Sequence, residues 1–537
     1  MKLNLPVIKS PARSLFTLLG AVILAIIHQN LFFEHAPGVS IPVFILLFYG
    51  YVLGFAGDRL HGLSPFAIFL FAVIFMLSLT YLLFDNPIFY VLNILILPVL
   101  VAYHVTLLLG YNPQVWWKTG IIKDILSHLI PRTLRHIPTA FTSITSTYSK
   151  RVNEGSRAIS RKIVFGVAIS APLVIIVISL LSSADGMFER VMFGIPRWLD
   201  EITYSEGFFR FMWILMFTLF FFGYVYGFIH PVSVRKTDPE TTHWREADIA
   251  TPQEGDLLKG EPEWRSLAET AGTKDRISES GPDSLRLRLD PIIASTVLTM
   301  VNVVYLVFVI LQFTYLFGAF EGALPDGMTY ADYARRGFAE LMLVALLNFG
   351  ILMGVLLYTD DNGSGVLQII QKVLLYILVI CSIIILYSAF SRLALYEEAY
   401  GFTYLRYLVH AFMLLLGILM VIAGLRIHFE RIPLAKCYIV FGLAAYVAIN
   451  YAGMDDYIAE KNIERYHIHQ KMDPYFLSSL SMDAVPVLIE FSREYPEIQN
   501  DLKADYNRLN EREQAWPSFN VAEYRAHQAL KAYFEQE

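Results

Sequence analysis

Cysteine is scarce: Cys381 and Cys437 are the only two in 537 residues. Both lie in or beside apolar runs, so they supply no disulfide framework, and their spacing fits no zinc or redox motif. Charge is scarce too. Asp, Glu, Lys and Arg make up 17% of the chain, against about 25% in a soluble domain. A net charge of −6 implies no polyanion and no nucleic-acid partner. Also missing are G-x-x-x-x-G-K-[ST], H-E-x-x-H and a nucleophile elbow. Their absence argues against an ATPase, a zinc protease or a hydrolase, and no catalytic residue, cofactor or metal is expected. An enzyme acting on lipid-linked substrates stays open. No internal repeat is visible, so the inverted-repeat signature of many transporters is missing.

What the chain has is apolar length. Hydrophobic residues are 55% of it and the mean hydropathy is +0.49. They fall in runs of roughly 18–25 residues, enough for a helix to cross about 30 Å of hydrocarbon. About eleven spans are expected on that length criterion, near 14–33, 41–56, 65–83, 88–109, 163–182, 208–229, 291–317, 337–358, 367–390, 404–424 and 437–452. Each must be helical, because lipid tolerates no bare backbone polar groups. The first run resembles a signal peptide behind Lys2, Lys9 and Arg13, but it is too long and no small-residue cleavage site follows. The fold class is therefore all-α: a polytopic transmembrane helix bundle with a small helical C-terminal extracytoplasmic domain. Asn93, His104, Asn302, Gln312 and Asn348 lie inside spans and are expected to face other helices.

Lys and Arg concentrate in alternate loops, which places the N-terminus in the cytoplasm and, with an odd span count, the C-terminus outside. The organisation then reads as an N-terminal membrane bundle at 1–229, a cytoplasmic loop at 230–290, a second bundle at 291–452 and a tail at 453–537. The loop is rich in Pro, Gly and mixed charge, a composition of disorder. Within the first bundle a basic segment lies near 113–162. From 118 to 135 its Ile and Leu residues share one helical face beside Lys118, Lys123, Arg132 and Arg135. That suits a helix lying in the inner interface on anionic lipid, or one packed on the bundle. In the tail, 484–495, 498–516 and 522–535 show helical periodicity, and Asn520 can cap the last. With no flexible spacer before it, the tail is expected to dock on the bundle through 391–403.

Three polar clusters stand out. The first is Ser391, Arg392, Tyr396, Glu397, Glu398, Tyr400, Gly401, Thr403, Arg406 and His410, with Glu340 as a possible counter-ion. Thr403 is a plausible helix cap after a turn at Gly401. Arg406 and His410 lie one turn apart on one face, and such residues near a membrane face protein, water or a polar partner. The functional reading is an outward pocket for an anion or headgroup. The structural reading is an ion-pair network locking helix ends, in which Arg406 meets a carboxylate. The second cluster is Asp455, Asp456, Glu460, Asn462, Glu464, Arg465, His467, His469 and Asp473. An isolated H-x-H lacks further ligands at a diagnostic spacing, so a solvated charged turn is the simpler account. The third, at 358–365, fits a tight turn better than a calcium loop.

Several of these residues carry a resemblance. Tyr396, Tyr400, Gly401, Thr403 and Arg406 resemble a Y-x-x-x-Y-G-hydrophobic-T-x-x-R pattern. The stretch from Asp456 through Ile458-Ala459 and Asn462-Ile463 to Arg465 resembles a D-x-x-I-A-x-x-N-I-x-R segment. Asp473, Leu477, Leu480-Ser481 and Asp483-Ala484-Val485-Pro486 resemble D-x-x-Y-L-x-x-L-S-x-D-A-V-P, and Trp516 with Asn520 resembles W-x-x-x-N. These are motifs of bacterial multipass proteins of domain-of-unknown-function family 4173, related to family 4153. They cover roughly 290–537, while the first half matches only as a run of spans. The resemblance implies a bacterial cytoplasmic-membrane protein and brings no activity or substrate.

The function expected is an envelope scaffold, sensor or regulator that binds a ligand or partner on its outer face. The alternatives are a transporter or channel, and a membrane enzyme acting on an envelope lipid or glycan. The candidate ligand-binding residues are Glu340, Arg392, Tyr396, Glu397, Tyr400, Thr403, Arg406, His410, Asp456, Asn462 and Arg465. Expected partners are membrane lipids and, through 453–537, an envelope protein or glycan.

Overall fold

A computed structural model describes residues 11–56, 60, 64–110, 116–118, 120–148, 206–230, 290–320, 338–359, 365–512 and 515–535 of the chain. The regular elements among them are helices. The first half contributes α1 (Pro11–Phe32), α2 (Ser40–Ala56), α3 (Pro65–Leu83), α4 (Pro87–Leu109), α5 (Gly120–Ser127), a π turn (His128–Arg132), α6 (Thr133–Tyr148) and α7 (Glu206–Ile229). The second half contributes α8 (Pro291–Phe320), α9 (Phe338–Tyr358), α10 (Gly365–Tyr400), α11 (Tyr404–His428) and α12 (Leu434–Asn450). The tail adds α13 (Met454–His469), α14 (Pro474–Ser478), α15 (Val485–Ser492), α16 (Gln499–Glu511) and α17 (Val521–Glu535).

Among the described residues, eight helices are long and apolar enough to cross a bilayer: α1, α3, α4 and α7 to α11. The α12–α13 pair, bent by 60°, passes the same test as a unit, and α2 is a shorter apolar helix. The span expected at 163–182 lies outside the described residues, as do 231–289 of the loop and 360–364 of the third cluster. The chain is a polytopic membrane protein. Its spanning helices turn large apolar side chains outward, with Met300 70% and Leu95 65% exposed, an arrangement that water penalises and hydrocarbon does not. Asn93, His104, Asn302 and Asn348 face inward and are buried, as a polar group in lipid must be.

Local sequence sets the helix starts. Ser64 caps α3 and Asn86 caps α4, each followed by proline at the first helical position, where a missing N–H is harmless. In the first half, α7 packs along α1 and α6, and α3 packs on α2 and α4. In the second half, α10 packs on α8, α9 and α11. The halves meet through α12, which packs on α11 and on α3 and lends Val447 to the first-half core.

The basic segment packs on the bundle on one side and leaves an apolar stripe exposed on the other. His128 and His136, each 1% exposed, face α7. There Gly223 approaches so closely that a Cβ would sit 2.6 Å from the Thr133 carbonyl oxygen. Ile122, Leu126, Ile130 and Leu134, spaced by four, are exposed on the other side.

Two expectations need correction. The helix that carries the ninth span does not end with it near 390: α10 runs 36 residues to Tyr400, so Arg392, Tyr396, Glu397 and Tyr400 are helical and the connection is only Gly401–Phe402–Thr403. The second cluster is not a solvated turn. It is the helix α13, bounded by Gly453 at φ 60° and Gln470 at φ 54°. Its buried face holds Ile458 and Ala459 but also Asp455 and Asn462, so hydropathy alone does not reveal it.

The last helix starts at Asn520, whose Oδ1 accepts from the N–H groups of Ala522 (2.8 Å) and Glu523 (3.1 Å). Its Nδ2 donates to the carbonyls of Tyr81 (3.0 Å) and Phe84 (2.8 Å) at the end of α3. Beside it the Val39 N–H donates to the Phe519 carbonyl at 3.0 Å. Asn520→Ala removes a cap worth about 1 kcal/mol and leaves one buried and one half-buried carbonyl without this donor. The expected result is faster proteolysis of 515–535 in the purified full chain, with the membrane core intact, measured by limited digestion and mass spectrometry.

Candidate functional site at the tail junction

The tail folds back on the bundle rather than hanging from it. Phe89 of α4 and the tail residues Met454, Ile458, Leu477, Leu480, Val485, Leu488 and Phe491 share one apolar core. Phe402, Tyr404, Tyr407 and Leu408 pack against it. Two polar joints fix its register.

The first joint centres on Asp455, 1% exposed. Its carboxylate accepts from the Tyr404 hydroxyl of α11, from Nδ2 of Asn86 between α3 and α4, and from the Ser481 N–H at 3.1 Å. Beside it the Asp85 N–H donates to Asp483 at 2.8 Å, and the Met482 N–H donates back to Asp85 at 3.3 Å. Beneath Asn86 the amide of Asn93 donates to Asn450 (2.7 Å) and to Thr80 (3.0 Å) and accepts from Tyr446 (2.7 Å). These polar contacts carry the junction from the tail into the spanning helices.

The second joint is at Gly401, φ 87°. Asn462 makes a two-way amide pair with Phe402: the Phe402 N–H donates to Oδ1 and Nδ2 donates to the Phe402 carbonyl, both at 2.9 Å. A Cβ at position 401 would stand 2.6 Å from Asn462 Oδ1 and 3.3 Å from an Arg465 nitrogen. Glycine is required there for the positive φ and for the approach.

Around the second joint lie the expected ligand residues. Arg406 donates to the Gly401 carbonyl and its guanidinium lies 4.4 Å from the Tyr396 ring. The Tyr396 and Tyr400 rings are 4.8 Å apart. Arg465 donates to the Ala399 carbonyl at 3.4 Å, and its Nε is buried without a hydrogen-bond partner. Burial first, then the neighbouring Arg406 charge, push the Arg465 pKa down. Neither guanidinium meets a carboxylate within ion-pair distance among the described residues. Next to them opens a cavity of ≈ 460 Å³ lined by Leu395, Glu398, Ala399, Arg465, His469 and Lys471.

The expected pairing of Arg406 with a carboxylate from Glu340, Glu397, Glu398 or the tail is not formed among the described residues. Glu397, 3% exposed, pairs with Nδ1 of His410 at 3.1 Å, and Nε2 of His410 faces the Phe390 carbonyl at 3.4 Å. Glu340 is exposed. Thr403 occupies the cap position of α11 without a side-chain bond. Asp456 lies beside Asp455 and Glu460, and burial, then those two charges, push it up to about 6. His467 pairs with Glu494 at 3.3 Å. Among the described residues no three of His, Cys, Asp and Glu assemble as metal ligands.

One family matches the chain by sequence, described as "Domain of unknown function (DUF4153)", over residues 71–491. The chain belongs to this family. No curated protein and no solved structure matches it. DUF4153 is the second of the two families that the motifs resemble. Its match begins inside α3 and so takes in much of the first half, where the motifs gave only apolar runs. Both polar joints, including Asp85, Asn86 and Asp483, fall within the DUF4153 region. Trp516 and Asn520 lie beyond it.

Sequence reasoning missed Asp85, Asn86, Tyr404 and Ser481. The signal was Asp85-Asn86-Pro87, a turn and cap between two spans, which makes no demand on a distant tail until the chain is folded.

Burial raises Asp85 to about 6, helped by the Glu523 charge and opposed by the Met482 N–H. Burial raises Asp483 to about 7, opposed by the Asp85 N–H and helped by Asp455, Asp85 and Asp456. Arg508 is the one cation acting on Asp85 among these. Both carboxyls hold protons more tightly folded than unfolded, where aspartate titrates near about 3.9. Their stabilising effect is therefore full below that value and is lost as pH rises through 6 to 7. Tail protection from protease is expected to be greater at pH 5 than at pH 8. Replacing both by Asn should flatten that dependence.

Proposed function

We propose that this DUF4153 protein is a receptor in the cytoplasmic membrane of a bacterium that binds a phosphate-bearing anion on its extracytoplasmic face. The observation that carries the reading is the pair of adjacent guanidiniums, Arg406 and Arg465, neither within ion-pair distance of a carboxylate among the described residues, with Arg465 lining a cavity beside Lys471, His469 and Glu398. Two neighbouring like charges repel unless an anion joins them. Guanidiniums match a phosphate with paired donors. The anion would bridge the end of α10, the start of α11 and the tail helix α13, so binding would tighten the tail on the bundle. Asp456 and Asn462 serve by shaping α13, and Tyr396 by holding Arg406 in place. Glu397 with His410 locks α10 to α11. The exposed Tyr475 and Trp516 of the tail, 86% and 63% accessible, offer aromatic faces to an envelope protein or glycan.

The topology behind this reading has the N-terminus inside and the C-terminus outside, with about eleven spans on the length criterion. The alternation of Lys and Arg between loops supports it. A reporter active only outside the cytoplasm, fused after Glu537, is expected to be active. Activity of a cytoplasmic reporter there instead would reverse the assignment of the face.

Binding is measured on the full chain in two arms: inorganic pyrophosphate in solution, and nanodiscs of phosphatidylglycerol against phosphatidylcholine. Arg465→Gln is expected to weaken whichever arm binds by at least tenfold, about 1.4 kcal/mol, while tail protection without ligand stays near that of the parent. Absence of Arg465-dependent binding in both arms would contradict the proposal.

A further inference from the structure

The basic segment lies at the bundle end opposite the tail junction: α3 begins there at Pro65 and ends at the Asn520 contact. Its level relative to the spanning helices is fixed at two places. The Trp116 ring stacks on Phe66 at 3.7 Å, and Lys436 Nζ lies 3.8 Å from the centre of the Trp117 ring. The segment therefore enters beside the first turns of α3 and α12, and tryptophan favours such a boundary between lipid and water. Further on, Thr133 approaches Gly223 and His128 approaches Gly227. Those glycines stand six and two residues before α7 ends at Ile229. At about 1.5 Å per residue the contacts lie about 3 to 9 Å inside the helix end, close to the depth at which interfacial helices bury an apolar face.

The side turned away from α7 combines an apolar stripe with unpaired cations. Ile122, Leu126, Ile130 and Leu134 are 54 to 57% exposed. Four-residue steps overshoot an α-helical turn by about 40° each, and the wider π turn at His128–Arg132 takes up part of that drift, which keeps the stripe on one side. Lys118, Lys123, Arg132 and Arg135 are also exposed, and none is within ion-pair distance of an acid among the described residues. Asp124 is the one acid between 118 and 135. Water penalises the stripe, and hydrocarbon penalises the cations. A layer of anionic headgroups over acyl chains suits both.

We propose that 118–135 is an in-plane foot that binds anionic phospholipid at the bundle end opposite the tail. The stripe sits in the acyl boundary, and the four cations meet headgroup phosphates. This surface is separate from the anion site at Arg465.

The test places the full chain in nanodiscs containing phosphatidylglycerol or phosphatidylcholine, each with the same photoactivatable diazirine on one acyl chain, and maps the label by peptide. Nanodiscs carry the lipid in both leaflets, so the readout does not depend on which face is cytoplasmic. Peptides covering 120–135 are expected to take about threefold more label from phosphatidylglycerol. Arg132→Gln combined with Arg135→Gln should bring that ratio close to one, with the melting temperature near that of the parent because both side chains are exposed. Arg465→Gln should leave the ratio unchanged. Should the double variant fail to fold, salt decides on the parent chain: about 1 M salt shortens the screening length to about 3 Å and is expected to bring the ratio close to one. Equal labelling by the two lipids would overturn the proposal, as would a ratio that survives the double substitution or, where that variant does not fold, the salt. Crosslinks between copies through 122–134 in place of lipid label would overturn it too.

Discussion

The structure depends on one buried carboxylate. Asp455 has no cation within ion-pair distance among the described residues, so hydrogen bonds must hold its charge, and they come from three distant parts of the chain: Asn86, Tyr404 and Ser481. Bonds to a charged group are worth about 1.5–3 kcal/mol each, and an unpaired buried charge is far more costly. The N-terminal position of Asp455 on α13 adds the favourable end of the helix dipole. The first half, the second half and the tail therefore meet at one point where none can move without orphaning a charge.

Other features follow from that constraint. With Asp455 anchored, α13 leaves α12 at 60° and runs past the end of α10. Asn462 then reaches Phe402, and Arg465 comes to lie beside Arg406. The like-charged pair arises because the backbone is held there by amide contacts, not because the two side chains attract. The proposed anion site rests on this outside support, which holds the two cations together before any ligand arrives. Three carboxylates near the junction make other contacts. Glu397 serves the α10–α11 contact, Asp483 takes the Asp85 N–H, and Asp473 caps α14 by accepting from Phe476 at 3.1 Å.

Apolar length was enough to read the membrane helices, since hydrocarbon imposes one rule on every residue of a span. The turn at Gly401 and the cap at Asn520 were legible for the same kind of reason: a positive φ and a first helical turn make local demands. The end of α10 was not legible, because Arg392, Glu397 and Glu398 look like a loop beside a membrane and Glu397 becomes acceptable in a helix only when His410 meets it. Asp455 was read as solvated because nothing near it in sequence satisfies it. Its donors are 369, 51 and 26 residues away, and such distances are set by packing.

Hydrogen exchange on Asp455→Ala in the full chain tests the junction most directly. The substitution orphans Asn86 Nδ2, the Tyr404 hydroxyl and the Ser481 N–H together. The account expects protection to fall at 81–90, 400–407 and 478–486 in step, with the first-half interior unchanged. Loss of protection confined to 454–462, with the other two segments still protected, would contradict it.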